Sequence, residues 1–100
     1  MEWINRYPRW NTLLEVNPRS LIRAEAPFEP SAQKLELLLK KFRQDGEMDA
    51  PILARGGAGI CFVDGRHRTL AAIMVGLPTI KIAVLTEEIG FIQGFLREDK

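Results

Sequence analysis

The sequence predicts an α+β fold in which a small mixed β-sheet is flanked by helices. Three observations carry this expectation. Short apolar runs alternate with segments of helical periodicity, Gly, Pro or Asn punctuates the joins, and the chain is long enough for one modest core but not for two. One hundred residues with 46% hydrophobic content therefore read as a single domain over 1–100, with 1–11 as an N-terminal arm.

From Met1 to Trp10 aromatics mix with Arg6, Arg9 and Pro8 without clean periodicity, so a short helical or irregular arm is expected. On a helix Trp3, Tyr7 and Trp10 would share one face. Packing of that face on the domain and contact with bases or a partner protein both stay open. Thr12 to Val16 is expected as the first strand, stopped by Asn17-Pro18, and Ser20 to Arg23 as a second short extended piece. Glu25 and Glu29 follow in a loop bracketed by Pro27 and Pro30.

Ser31 opens the clearest helix, with Leu35, Leu38, Leu39 and Phe42 on one buried face and a close near Asp45-Gly46. Its polar side carries Lys34, Glu36, Lys40, Lys41 and Arg43. Pro51 to Ala54 reads as a strand, and Arg55-Gly56-Gly57-Ala58-Gly59 as a hairpin turn. This glycine cluster lacks the lysine and following helix of a Walker loop. Thr79 to Leu85 is the last strand, followed from Thr86 to about Leu96 by a helix with Ile89, Ile92, Phe95 and Leu96 inward. The core expected from these patterns joins Leu35, Leu38, Leu39, Phe42, Ile60, Phe62, Leu70 and Ile73.

The functional signal lies between the hairpin and the last strand, from Ile60 to Gly76. Ile60 to Val63 is apolar at every position, which suits a central strand buried on both faces. Asp64-Gly65 then turns into a helix that ends at Gly76-Leu77-Pro78. Asp64 is the expected cap for its first amides. A helix starting near Arg66 presents backbone amides and the positive end of its dipole, and Arg66, His67 and Arg68 add two fixed charges and one switchable charge. An anion, most naturally a phosphate, balances that concentration of positive charge. The competing structural account makes Arg66 and Arg68 solvated surface residues and packs His67 beside the turn.

Composition narrows the classes. A formal net charge of +1 argues against a chain coated in positive charge for nonspecific nucleic-acid binding. Cys61 is the only cysteine, so an internal disulfide is excluded, no cysteine-built metal site is expected, and a small buried hydrophobe is the simplest role for it. The first residues lack a signal peptide's apolar core, and no segment approaches the ~20 apolar residues of a membrane span. A soluble, cytoplasmic protein without a membrane partner is expected.

The order of these elements, with Pro51-Ile52-Leu53, Val63-Asp64-Gly65-Arg66-His67-Arg68, Ala71-Ala72 and Gly76-Leu77, resembles the ParB/sulfiredoxin superfamily over roughly Val16 to Leu85. Gly-x-x-Arg is the specific portion. In ParB proteins the comparable segment binds the phosphates of CTP, and in sulfiredoxins a Gly-Cys-His-Arg segment binds those of ATP and supplies the catalytic cysteine. Gly65, His67 and Arg68 match the sulfiredoxin positions, while Arg66 stands where the cysteine belongs, so sulfiredoxin repair chemistry is expected to be absent.

The resemblance implies a nucleoside triphosphate site, for CTP or ATP with Mg2+, built from Asp64, Gly65, Arg66, His67, Arg68 and Thr69. It adds Lys34 and Lys41 from the preceding helix. Gln93-Gly94-Phe95-Leu96-Arg97 lacks the glutamate of the ParB metal-binding segment, which weighs against CTP hydrolysis by that route. Another branch, a free-serine kinase, carries its catalytic glutamate where Glu25 and Glu29 sit. Short members of the superfamily are common among plasmid and phage genes, and a module lacking helix-turn-helix and dimerisation domains is not expected to read a centromere-like site.

Three functions follow as expectations. The first is a nucleotide-binding module, and the second a phosphoryl-transfer or NTP-hydrolysing enzyme in the same pocket with Glu25 or Glu29 as base. The third is a DNA-binding or nuclease-like accessory protein using Arg6, Arg9, Arg19 and Arg23 with the motif arginines.

Overall fold

The computed structural model describes residues 1–24, 29–57 and 59–97. Its α+β architecture matches the expected class. The strands are β1 (Glu2–Ile4), β2 (Thr12–Val16), β3 (Glu47–Asp49), β4 (Ile52–Gly56), β5 (Gly59–Asp64) and β6 (Ile80–Val84). The helices are α1 (Pro18–Ala24), α2 (Ala32–Gln44), α3 (Arg66–Met74) and α4 (Ile89–Arg97), the last preceded by a 3-10 turn at Thr86–Glu88. The main sheet has the order β2-β6-β4-β5, and it is mixed because β4 and β6 run parallel while the β2/β6 and β4/β5 pairs are antiparallel.

Local signals set the helix ends. Ser31 caps α2, its Oγ accepting the Lys34 amide at 3.3 Å, as the sequence suggests. Past α3, Gly76 has φ +84° and the Leu77 amide donates to the Ala72 carbonyl at 3.0 Å, so a left-handed residue closes the helix where glycine is expected.

Four expectations are overturned. The first ten residues do not form a helical arm, because Glu2–Ile4 pairs in parallel with Glu47–Asp49 as a separate two-stranded sheet. Trp3 instead meets Phe42 edge to face at 5.9 Å, and Trp10 packs on Ala50, Ile52 and Ala83. Ser20 to Arg23 is helical and not extended, since Asn17 ends β2 as expected and at the same time starts α1. Its Oδ1 accepts the Arg19 amide at 2.9 Å, and Pro18 takes the first helical position, where its missing N–H costs nothing.

The third correction concerns β5, which is an edge strand and not the central one. Val63 is 49% exposed, and the centre of the sheet belongs to β4 and β6. Its apolar run is accounted for by partial cover on both sides: Phe62 packs on the main core, and half-buried Cys61 lies under Gly56, where a Cβ would stand 2.9 Å from Sγ. The fourth concerns α3. Thr69, Ala71 and Ala72 are its buried residues, while Leu70 and Ile73 are only half-buried. Short side chains on that face let α3 lie close to α1 and α2, against which it packs.

The main core gathers Leu21, Phe42, Met48, Leu53, Ile60, Ala71, Ala72, Ile80, Ile82, Val84 and Ile92 from all four helices and from β3 to β6, with Leu14, Leu35, Leu38, Leu39 and Phe95 packed around it. Leu53 is fully buried at the middle of the sheet, whereas Leu38 is half-buried. Leu53→Ala is therefore expected to cost about 2 to 5 kcal/mol, and Leu38→Ala less than Leu53→Ala, by denaturant unfolding. Equal losses at the two positions would contradict this assignment of the core.

Candidate functional site

The site begins with a backbone constraint. Gly65 has φ +102°, and a Cβ there would lie 2.7 Å from both Cα and Cβ of Pro51. Only glycine fits this left-handed turn against a proline backbone. Gly65 is also the N-cap of α3 and brings no side chain to its first-turn amides. The expected capping role of Asp64 is not observed. Its carboxylate pairs instead with the Arg68 guanidinium at 2.9 Å, one helical turn away.

Arg68 is turned inward. Its other terminal nitrogen donates to the Asp49 carbonyl at 2.9 Å and, at a longer 3.5 Å, to that of Ala50, and its side chain is 14% exposed. The guanidinium thus joins the end of β5, the start of α3 and the β3–β4 connection. Asp49 is shared further, since its carboxylate accepts a hydrogen bond from Arg6 Nε. Removing Arg68 would break this three-way joint and would not unburden the N-terminus of α3. The charge relieves nothing when lost, because it is already spent on Asp64 and two carbonyls.

His67 is likewise engaged. Its Nε2 accepts the Ser31 backbone amide at 2.9 Å, which places the proton on Nδ1 and ties the head of α3 to the head of α2. Burial first, then the nearby positive charges of Lys34 and Arg66, push its pKa below the ordinary histidine value. The switchable charge anticipated at this position is therefore absent near neutral pH in the free protein.

Among the described residues, two clefts open against this turn. One, about 330 Å3, is lined by Lys34, Leu37 and Leu38 of α2 and by Asp64, Gly65, Arg66, His67 and Arg68. The other, about 400 Å3, is lined by Glu29, Phe62 and Val63 and shares the wall from Asp64 to His67. The structure thus brings together Lys34, Glu29 and the motif residues 64–68. Thr69 is placed elsewhere: it is fully buried, and its hydroxyl donates to the Gly65 carbonyl at 3.0 Å. Lys41 is exposed on α2 and lines neither cleft, and Glu25 lies outside the described residues.

Sequence reasoning assigned Leu38, Phe62 and Val63 to the core or a strand and not to a cleft, and it missed Leu37 altogether. Leu37 stands outside the buried stripe of α2, and a helical wheel would have placed it beside Lys34, one turn earlier. Among the described residues no group of three or more His, Cys, Asp and Glu side chains is arranged to hold a metal ion. No helix of the described chain is long and apolar enough to cross a membrane.

The geometry carries two expectations. Arg68→Ala should lower stability by about 1.5 to 3 kcal/mol, the range for hydrogen bonds to charged groups, and Arg68→Lys should restore only part because the fork is lost. Unchanged unfolding midpoints would show that the bridge contributes nothing. For His67, a folded pKa below the unfolded value means that stability is complete above about pH 6.5 and falls as pH drops through that value. His67→Gln should flatten that fall in melts between pH 7.5 and 5.5. His67 is the only histidine, so its imidazole signals report the titration directly. A scan against protein-family models finds no match for this chain, and a search of curated proteins finds none either.

Proposed function

We propose that the chain is a nucleotide-binding module of the ParB/sulfiredoxin type, holding a ligand's phosphates at the head of α3. The observation that carries this reading is the convergence of Lys34, Arg66 and the glycine-capped first turn of α3 on one cleft. Helix amides and dipole favour an anion there, and the two cations add the charge that a phosphate group neutralises. Arg68 and His67 hold the turn in shape through the bonds described above, while Lys34 of α2 and Arg66 of α3 both line the cleft.

Asp64 borders both clefts and is 57% exposed despite its pairing with Arg68. One carboxylate plus ligand phosphates is a common way to hold Mg2+, so a nucleotide arriving with its own magnesium suits this arrangement. A phosphoryl-transfer reading is favoured by one observation, that Glu29 lines the adjoining cleft along the same wall. It requires turnover in the presence of metal and a hydroxyl acceptor.

A thermal-shift screen of nucleoside mono-, di- and triphosphates, with and without magnesium, tests the proposal. A ligand at 100 times its dissociation constant should add about 2.7 kcal/mol of stability. Lys34→Ala or Arg66→Ala should weaken that ligand by about 1.5 to 3 kcal/mol. No shift with any phosphate compound would remove the reading.

A further inference from the structure

All four helices pack into the core on one face of the main sheet, where Ile80, Ile82 and Val84 of β6 meet Leu21, Phe42, Ala71 and Ile92. Ala83 points the other way. Among the described residues it groups with Ala50 and Ile52, and what packs on these three is Trp3 and Trp10. Side chains alternate along a strand, so Lys81 shares this second face with Ala83, and their cross-strand partners on β2, Glu15 and Leu13, stand beside them. Leu13 is 38% exposed, and Tyr7, set edge to face on Trp10 at 6.4 Å, is 51% exposed. The Arg9 guanidinium lies over the same Trp10 ring, 5.4 Å from its centroid. Tyrosine, tryptophan and arginine are the residue types that anchor protein interfaces.

We infer that this helix-free face is where a second copy of the chain docks, forming a symmetric dimer. Glu15 and Lys81 are exposed cross-strand neighbours of opposite charge, yet no ion pair joins them within the chain. Such a pair complements itself, as a two-fold interface requires. An axis running along the strands midway between β2 and β6 sets Glu15 opposite the partner's Lys81 and Lys81 opposite the partner's Glu15. The same rotation carries Leu13 over the partner's Ala83, where Trp10 forms the cover. Sheets stacked in this way stand ~10 Å apart, a gap that glutamate and lysine side chains bridge between them. Nucleic acid fits this face less well, because Glu15 cancels Lys81 and the Arg6 charge is paired with Asp49. The contact lies across the sheet from α3, so it does not depend on the phosphate reading of the cleft.

Sedimentation equilibrium of the whole chain from micromolar to millimolar concentration tests this, with mass as the readout. A reversible equilibrium between monomer and dimer is expected. Glu15→Lys and Lys81→Glu each set like charges against one another twice across the axis, so each should raise the dimer dissociation constant about tenfold or more. The double variant, carrying both reversals, should return it to the starting value. Leu13→Asp should abolish the dimer. All three positions are exposed, so these variants keep the monomer fold, which thermal melts at low concentration verify. A chain that stays monomeric at millimolar concentration overturns the inference, as does a dimer indifferent to the single reversals or one that the double reversal fails to restore. Co-sedimentation of a monomer with an added single-stranded oligodeoxynucleotide overturns the choice of a second copy as the occupant.

Discussion

The close approach of Pro51 to Gly65, clamped by Arg68, is the constraint on which the site depends. Pro51 leads into β4 and Gly65 leads out of β5, so their contact fixes how the hairpin meets the head of α3. A side chain at position 65 would meet the proline ring at 2.7 Å. Arg68 then locks the joint by spanning the Asp64 carboxylate and the Asp49 carbonyl. A guanidinium suits this task because its donors diverge in a plane and reach acceptors on separate segments at once.

That clamp gives the neighbouring basic side chains different surroundings. The motif concentrates three basic side chains in one turn, but their environments separate them. Arg68 is committed to the backbone, and the His67 imidazole is held neutral as an acceptor for the Ser31 amide. Protonation of His67 would remove that acceptor and place a cation between two helix N-termini, each already the positive end of a dipole. The histidine thus acts as a joint between α2 and α3. Arg66 and Lys34 supply the charge that lines the cleft.

Most elements were legible because their signals are local. Ser31 with the leucine spacing that follows specifies α2, and Gly76-Leu77-Pro78 specifies where α3 stops, since capping and left-handed geometry depend on a few neighbouring residues. The misread elements share a different property. Glu2–Ile4 becomes a strand only because Glu47–Asp49 lies beside it, some forty-five positions later. Asn17-Pro18 stops a strand and starts a helix with equal ease, and the fully buried Leu21, seated in the main core, accompanies the helical choice.

The chemistry of the site divides in the same way. By itself the sequence determined that a glycine turn would launch a helix carrying Arg66, His67 and Arg68 in its first turn, because turn and helix formation are decided within a few residues. Only the tertiary structure decided what each of those side chains does. Whether an arginine grips a ligand or a backbone carbonyl depends on which segment lies within reach, and Asp49 and Ser31 are brought there by sheet pairing and helix packing. The apolar wall at Leu37 became visible for the same reason. A leucine off the buried stripe is an ordinary surface residue in the sequence, and it gains meaning when α3 is placed across from it, because burial and charge are properties of the space between elements and not of the residues alone.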